Sequence, residues 1–327
     1  MTRTVIVSGG AGYIGSNTCK LLSKSGIEPV VYDNFVTGHR DAVRWGPLVE
    51  GDILDTGRLT RALELHRPEA VIHFAGSAYV GESVENPAKY YRNNVAGSLS
   101  LLDACRQANV LNVVFSSSCA TYGAPEQLPI TEATPQRPLS PYGRSKLMVE
   151  QILADYAAAY RLRYVALRYF NACGADPEGD LAERHDPETH LIPLALLSAS
   201  GAGSPLSVFG DDYSTSDGTC ERDYIHVTDL SRAHVLALDY LRDGGANLAV
   251  NLGSGQASSV RQIIASINRI TSKSVPIVIG PRRPGDPPAL VADPSLACER
   301  LGFSTRFSDI DTIVRTAAAT FGLHATL

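Results

Sequence analysis

A glycine-rich turn near the start of the chain constrains its fold more than any other feature. Gly9, Gly10, Gly12 and Gly15 directly follow a short apolar run at residues 4–8 and precede a helical pattern. Glycine is needed where the backbone turns sharply and lets a pyrophosphate approach, and the first N–H groups of the following helix bind phosphate oxygens. The turn therefore predicts a strand, a dinucleotide-binding loop and a helix.

Short apolar runs alternate with longer helical patterns through the first half of the chain. Candidate strands lie at residues 4–8, 29–32, 70–74, 112–116 and 163–168. Helical periodicity lies between them, at residues 14–25, 58–66, 94–108 and 146–160. Strands that are apolar throughout and are separated by helices form parallel βαβ units. The pattern predicts an α/β fold with a Rossmann-type, doubly wound parallel sheet.

The pattern becomes less regular after residue 170. Residues 174–190 are rich in Gly, Pro, Asp and Glu and show no periodicity, which predicts an ordered loop or an inserted lobe. Shorter helix and strand patterns follow. We expect an NAD-binding Rossmann domain at residues 1–170 and a smaller α/β substrate-binding domain at 171–327, with some later segments returning to the first domain.

Charge and cysteine content exclude several classes of function. A net charge of −5, with both signs mixed along the chain, gives no basic surface for nucleic acid or an anionic membrane. The sequence has no stretch of about 18 apolar residues and no signal-peptide pattern. Its six cysteines are scattered, without the pair spacing of a metal site. We therefore expect a cytoplasmic protein with reduced thiols, no bound metal, and no nucleic-acid or membrane partner.

Acidic residues at the ends of early strands predict which dinucleotide binds. Asp33 ends the second candidate strand, where a carboxylate accepts hydrogen bonds from the adenosine ribose and repels a 2′-phosphate. NAD is therefore favoured over NADP. Asp52 and Ile53 follow a third short strand, and Asp52 either lies near the adenine or caps a helix. His73 ends the fourth strand and is interpreted as a buried packing residue.

A tyrosine and a lysine are spaced for proton transfer. Tyr142 and Lys146 are four residues apart on a predicted helix, which puts both side chains on one face. A phenol with a pKa of about 10 is a poor base at neutral pH, and a nearby ammonium together with a positively charged nicotinamide stabilises the phenolate. Ser118 follows the fifth candidate strand, at the edge of the sheet where ligands bind. These three residues form the candidate catalytic group.

Motifs along almost the whole chain resemble those of one enzyme family. They lie at residues 9–18, 73–76, 80–83, 90–94, 116–123, 140–150, 167–171, 217–226 and 282–286. In them the chain resembles the extended short-chain dehydrogenases/reductases and, within that group, the UDP-galactose (UDP-glucose) 4-epimerases. The resemblance implies a homodimeric isomerase of galactose metabolism. Such an enzyme inverts C4 of a UDP-sugar through a transient 4-keto intermediate, with NAD bound.

The resemblance also implies roles for single residues. Ser118, Tyr142 and Lys146 would be catalytic, with Tyr142 as the base. Contacts with NAD are expected from Gly9, Gly12, Tyr13, Ile14, Asp33, Asn34, Asp52, Ile53, Phe74, Ala75, Asn94, Ser116, Tyr142, Lys146 and Phe170. Contacts with the UDP-sugar are expected from Ser118, Tyr142, Asn171, Leu191, Phe209, Arg222, Arg283, Asp286 and Leu290. The two arginines would neutralise the pyrophosphate.

Some positions depart from the family pattern. Ser77 stands where many members have a lysine beside the cofactor, and His190 stands where many have an asparagine near the UDP phosphates. Residues 78–83 and 119–122 also resemble the UDP-xylose/UDP-arabinose 4-epimerases, which leaves a pentose substrate as an alternative. Leu290 either borders the C2 substituent of the sugar or packs in the core of the smaller domain.

Three other activities are alternatives to epimerisation. Sugar dehydratases and decarboxylases carry a carboxylate just after the strand-end serine, whereas this chain has Cys119 and Ala120. A net dehydrogenase requires NAD that exchanges freely. A redox-sensing NAD-binding regulator keeps the glycines but has no need of Tyr142 and Lys146. The residues present favour an epimerase over all three.

Overall fold

A computed structural model describes residues 3–283 and 285–324 of the chain. Its strands are β1 Arg3–Ser8, β2 Ile27–Asp33, β3 Leu48–Glu50, β4 Ala70–His73, β5 Asn112–Ser116, β6 Arg163–Tyr169, β7 Asn171–Cys173, β8 Leu206–Phe209, β9 Glu221–His226, β10 Leu248–Leu252, β11 Ala257–Ser259, β12 Ile277–Gly280 and β13 Ala289–Leu290. Its α-helices are α1 Tyr13–Lys24, α2 Thr56–His66, α3 Val80–Glu85, α4 Pro87–Tyr90, α5 Gly97–Gln107, α6 Pro141–Tyr160, α7 Leu191–Ser200, α8 Val227–Arg242, α9 Val260–Thr271, α10 Ser295–Leu301 and α11 Ile310–Ala318. Within these described residues, no helix is both long and apolar enough to cross a bilayer.

One parallel sheet of seven strands, in the order β10-β6-β5-β4-β1-β2-β3, organises the molecule. Its strands are apolar along their length because helices cover both faces. Val5 and Val7 pack in one core with Leu22 of α1, whereas Ile6 packs in the opposite core with Leu101 of α5. The predicted α/β fold with a doubly wound parallel sheet is confirmed.

The five candidate strands correspond to β1, β2, β4, β5 and β6. All four predicted helices begin earlier than their hydrophobic periodicity predicts. Helix α6 starts at Pro141 because the hydroxyl of Ser140 caps it, accepting the N–H of Gly143 at 3.1 Å. The predicted helix at 94–108 begins as a π-helical turn, Tyr91–Ala96, which runs on into α5.

Segments from the second half of the chain return to this sheet. Strand β10 pairs with β6 at its edge, and α8 packs against α1. The remaining strands form small sheets in which β9 pairs with β7, β11 and β13, and β8 pairs with β12. A separate core lies among α7, α9 and α11. The division of the chain at residue 170 stays a prediction.

Residues 174–190, all of which are described, contain neither a helix nor a strand. Ion pairs hold this loop to the first half of the chain. Lys20 Nζ lies 2.5 Å from Asp176 Oδ2, and Arg184 forms two bonds of 2.9 Å with the carboxylate of Asp41. The loop is therefore fastened at the end of the sheet that carries the glycine-rich turn.

Candidate active site

The glycine-rich turn packs too closely to carry side chains and exposes the first N–H groups of α1. Gly9 has a positive φ of 74°, and a Cβ atom there would lie 2.6 Å from the backbone N of Ala75. A Cβ atom at Gly15 would collide with the carbonyl oxygen of Gly9, because α1 packs closely on the turn. Gly12 is the N-cap of α1 and leaves the first N–H groups of the helix without a side-chain cap. These N–H groups can donate to the oxygens of a phosphate, so the residues present fit NAD.

Asp33 lies beside this turn and is held by backbone N–H groups. Its Oδ2 accepts the N–H of Ala11 at 3.0 Å, and its Oδ1 accepts the N–H of Phe35 at 2.8 Å. Burial raises the pKa of the carboxyl, whereas these hydrogen bonds lower it. A carboxylate in this position suits a ribose hydroxyl and repels a 2′-phosphate.

Asn34 and Asp52 lie together next to Asp33. The Asn34 amide donates to Asp52 Oδ2 at 3.1 Å, and Ile53 is buried beside them. Helix α2 is capped by Asp55, whose side chain accepts the N–H of Arg58. The alternative that Asp52 caps this helix is therefore wrong, since the helix begins three residues further on than that interpretation requires.

The opposite wall of the candidate cofactor site comes from the end of β4 and from the π-helical turn. Phe74 and Ala75 directly follow β4. Asn94, in the π-helical turn, accepts the N–H of Ser77 at 2.8 Å and donates to the hydroxyl of Ser145 at 3.0 Å. It thus ties the segment after β4 to α6. Tyr13 and Ile14 lie in the first turn of α1, and Phe170 is buried just after β6.

His73 is a packing residue, as interpreted from the sequence. It is buried and bonds Ser8 at 2.7 Å and Ser98 at 2.8 Å through its two ring nitrogens. Burial lowers its pKa to about 3, so the ring is neutral. Both nitrogens are occupied within the core, which leaves none to act on a ligand.

Ser118, Tyr142 and Lys146 converge at the carboxyl end of β5. The Lys146 ammonium lies 5.9 Å from the centre of the Tyr142 ring, one helical turn away on α6. Its Nζ donates to the carbonyl oxygen of Ser116, the last residue of β5, at 2.8 Å. The Ser118 hydroxyl accepts the N–H of Ala120 at 3.1 Å, and it lowers the pKa of the Tyr142 phenol. The structure brings the three predicted catalytic residues together.

Burial controls the acidity of this group. It raises the pKa of the Tyr142 phenol above its ordinary value, and the Ser118 hydroxyl partly offsets that effect. Burial lowers the pKa of Lys146 to about 8, although Glu150 acts in the opposite direction. The Lys146 ammonium is directed at the Ser116 carbonyl, and burial dominates the pKa of the Tyr142 phenol. Forming the phenolate therefore requires further positive charge beside the ring.

A buried ion pair supports the catalytic group, and sequence reasoning missed it. Arg168 of β6 and Glu150 of α6 are each 8% exposed, and Arg168 Nη2 lies 2.6 Å from Glu150 Oε2. The hydroxyl of Ser117 donates to Glu150 at 2.5 Å, and Arg168 Nη1 donates to the hydroxyl of Tyr122 at 2.8 Å. The pair fixes α6 against β5 and β6, and so sets the spacing between the serine and the tyrosine.

Most residues predicted to contact the UDP-sugar lie around β9 and β13. Arg222 Nη2 is 2.5 Å from Asp286 Oδ1, and Leu290 pairs with Arg222 across the strands. The Arg283 guanidinium lies over the Phe209 ring, 4.4 Å from its centre. These five side chains form a partly exposed surface on which Arg283 is exposed and Arg222 is held by Asp286.

Three contacts place the remaining predicted substrate residues. The amide of Asn171 donates to a β9 carbonyl oxygen at 2.8 Å. Leu191 begins α7 and packs against the core formed by α7, α9 and α11. Leu290 and Cys119 pack against a small buried cluster that includes Phe170. Leu290 thus lies between the strand that carries Arg222 and the segment after β5 that carries Ser118, outside the core formed by α7, α9 and α11.

The loop before α7 contains a cluster of two histidines and two glutamates that sequence reasoning also missed. His185 and His190 each lie within 3.6 Å of the carboxylates of Glu183 and Glu188. Burial alone would lower the pKa values of both histidines, but the ion pairs raise them to about 9 for His185 and about 10 for His190. The ring of Tyr79 packs against both.

Comparisons with known proteins agree with this geometry. The sequence profile described as the NAD dependent epimerase/dehydratase family matches residues 5–253. A UDP-glucose 4-epimerase of Rhizobium leguminosarum bv. trifolii is 51% identical over 315 residues, 96% of each chain. The crystal structure of UDP-glucose 4-epimerase from Brucella ovis in complex with NAD is 64% identical, with a TM-score of 0.98 over 99% of this chain and 100% of that one. The structure from Bifidobacterium longum, in complex with NAD+ and UDP, is 38% identical, with a TM-score of 0.91 over 96% and 97%.

The chain therefore belongs to the NAD dependent epimerase/dehydratase family. The curated relatives that match it along almost their whole length are UDP-glucose 4-epimerases. The resemblance inferred from the sequence motifs is confirmed, and so are the predictions of an isomerase and of NAD as its cofactor. The contacts predicted for single residues stay predictions.

Proposed function

We propose that the chain interconverts UDP-glucose and UDP-galactose by inversion at C4, through a transient 4-keto sugar. The observation that carries this proposal is the convergence of Ser118, Tyr142 and Lys146 next to a turn shaped for a pyrophosphate. A buried phenol, a hydroxyl and an ammonium at one strand end are suited to moving a proton on and off a sugar hydroxyl.

Each residue has a separate task in this chemistry. Tyr142 takes the proton of the 4-hydroxyl and later returns it, while Ser118 hydrogen-bonds the same sugar oxygen as it becomes a carbonyl. When bound, NAD supplies the acceptor and donor of the C4 hydride and a positive charge near the phenol. Lys146 adds a second positive charge. Because burial disfavours the phenolate, these two charges are needed to lower the pKa of Tyr142 enough for it to act as a base.

Arginines on the UDP side would hold the nucleotide while the sugar turns. Arg283 is 61% exposed on its side chain and is 3.9 Å from Asp286, so it is free to reach a pyrophosphate. Arg222 is more firmly fixed, at 12% side-chain exposure. Tight binding of UDP with loose binding of the sugar permits the 4-keto intermediate to present its other face before the hydride returns.

The residues after Ser118 favour epimerisation over elimination or decarboxylation. Those reactions need an acid or base at a neighbouring carbon, and this chain has Cys119 and Ala120 there. Burial raises the pKa of Cys119 to about 12, so its thiol stays protonated at neutral pH. With no second acid or base at positions 119 and 120, the ketone takes its hydride back.

The proposal is tested by supplying UDP-galactose, UDP-xylose and UDP-GlcNAc separately to the purified enzyme, without added reductant, and identifying products by NMR. UDP-glucose should form from UDP-galactose faster than a pentose product forms from UDP-xylose. Tyr142→Phe should lower kcat by about 100-fold or more while leaving UDP binding intact, because only the proton acceptor is removed. A drop below about tenfold would exclude Tyr142 as the base.

We further propose a cytoplasmic homodimer that acts in galactose metabolism. Its six cysteines are all free, as expected in a reducing compartment. Light scattering should give twice the 34.9 kDa mass of one chain. A monomer at enzyme-assay concentration would contradict the dimer without affecting the proposed reaction.

A further inference from the structure

We propose that Glu183, His185, Glu188 and His190 bind one divalent transition-metal ion, with Zn²⁺ the preferred ion. This histidine–glutamate cluster lies in the loop before α7, outside the catalytic group. Among the described residues, one ligand atom from each of the four side chains lies within 4.8 Å of every other. The site takes no part in the proposed hydride chemistry.

The distances between ligand atoms match those around a four-coordinate ion. His185 Nδ1 is 3.2 Å from Glu183 Oε1 and 3.6 Å from Glu188 Oε2. His190 Nδ1 is 3.0 Å from Glu183 Oε1 and 2.9 Å from Glu188 Oε1. Ligands about 2.0–2.1 Å from Zn²⁺ in a tetrahedron are roughly 3.3 Å from one another. Both carboxylates bridge both histidines, so all four side chains surround one point.

The orientation of His185 supplies a second observation. Its Nδ1 atom is buried and has no hydrogen-bond partner, although a carboxylate oxygen lies 3.2 Å away. A buried ring nitrogen without a directed hydrogen bond is unusual, since such groups are normally paired. A metal ion at the centre of the cluster would satisfy this nitrogen together with that of His190.

The chemistry of the four side chains selects the ion. Two imidazoles with two carboxylates suit Zn²⁺ and similar first-row ions, whereas Mg²⁺ and Ca²⁺ prefer oxygen ligands and higher coordination. Two carboxylates and two neutral histidines carry a charge of −2, which a divalent ion cancels. The ion would therefore take the place of the two protons that balance this charge in its absence.

The position of the cluster indicates a structural metal. Four protein ligands close the coordination sphere and leave no open position for a substrate. The rings of Tyr79 and Tyr13 pack beside the cluster. Their centres lie 5.9 Å and 6.1 Å, respectively, from the centre of the His185 ring. Tyr13 begins α1 behind the glycine-rich turn, and His190 is the N-cap of α7. The ion would fix the shape of the loop that packs against Tyr13 and leads into α7.

Metal retention by the full-length, NAD-loaded enzyme tests the proposal. Tag-free protein is treated with EDTA, dialysed, incubated with Zn²⁺, desalted and analysed by mass spectrometry for zinc. The wild type should keep about one ion per chain, and a His185→Gln/His190→Gln double variant less than about a tenth of that. His66→Gln, which changes a half-buried histidine of α2, is the matched control and should behave as the wild type. All variants keep the six cysteines, so any zinc bound to thiols is the same in each protein and cancels when their zinc contents are compared.

Cobalt provides a measurement that does not depend on a variant folding. Wild-type protein loaded with Co²⁺ should show the strong visible absorption of tetrahedral cobalt, and added Zn²⁺ should abolish it. Glu188→Gln, which keeps the shape of the side chain, should weaken Co²⁺ binding by about 10-fold or more. Zinc retention in the wild type no higher than in the double variant, or a cobalt spectrum without tetrahedral bands, would overturn the proposal and leave the cluster as a set of ion pairs.

Discussion

Replacing Glu150 by glutamine tests whether the buried pair with Arg168 supports the catalytic group. Glu150 receives the Nε and Nη2 groups of Arg168 at 3.0 Å and 2.6 Å, the Ser117 hydroxyl at 2.5 Å and the Gln136 amide at 3.2 Å. Glu150→Gln keeps the shape of the side chain but leaves the arginine charge buried without a counter-charge. Breaking a buried pair in this way costs about 3–5 kcal/mol of the free energy of unfolding.

The assay is urea unfolding of the NAD-loaded enzyme, followed by the fluorescence of Trp45, the single tryptophan of the sequence, and by circular dichroism. Glu50→Gln is the matched control, because Glu50 pairs with Arg40 at 2.7 Å with half of its side chain exposed. The control should lose less than about 1 kcal/mol. A loss for Glu150→Gln no larger than that of the control would refute the reasoning.

Three further predictions follow from the cofactor and substrate sides of the site. Asp33→Ser should bring the affinities for NAD and NADP close together in a titration of NAD-stripped enzyme, and comparable affinities in the wild type would contradict the role of Asp33. Since burial lowers the pKa of Lys146 from 10.5 to about 8, its contribution to stability is present above pH 10.5 and is lost as the pH falls through about 8. In thermal unfolding without NAD, the stability of the wild type relative to Lys146→Met should therefore rise with pH between about 8 and 10.5. A stability difference that does not change with pH would exclude the lowered pKa of Lys146. Leu290→Ala should improve kcat/KM for UDP-GalNAc relative to UDP-galactose by the equivalent of about 1–3 kcal/mol, whereas an unchanged ratio with lower stability would mean that Leu290 only packs.

Local patterns in the sequence predict much of the fold and the candidate catalytic group. Apolar strands alternating with helical periodicity are enough for the parallel sheet, because each strand must be covered on both faces. Gly9 and Asp33 can be predicted because Gly9 follows the first strand and Asp33 ends the second, at fixed places in a βαβ unit. Tyr142 and Lys146 can be predicted as a pair because one helical turn separates them.

Contacts between distant segments could not be predicted in this way. Glu150 and Arg168 lie on a helix and a strand that each look ordinary, and only the packing of α6 on β6 pairs them. The same holds for Arg222 and Asp286, which meet through the pairing of β9 with β13. Helix starts were missed where a polar cap such as Ser140 or Asp55, and not the apolar periodicity, decides the first turn.

The histidine–glutamate cluster had a local pattern that could have been found. Glu183, His185, Glu188 and His190 lie within eight consecutive positions. Cysteine spacing does not reveal these residues, and the loop lacks the periodicity that marks a helix or strand. Alternating ligand residues in an irregular segment are a pattern worth testing in such loops, because a turn can bring them around one point.

The fate of the hydrogen at C4 tests the central claim most directly. UDP-galactose carrying deuterium at C4 is incubated with the NAD-loaded enzyme in ordinary water, and the UDP-glucose formed is analysed by mass spectrometry and NMR. Our account predicts that the deuterium stays at C4 of the product, because the hydride is removed from and returned to the same carbon within one site. Replacement of the deuterium by solvent hydrogen would contradict it.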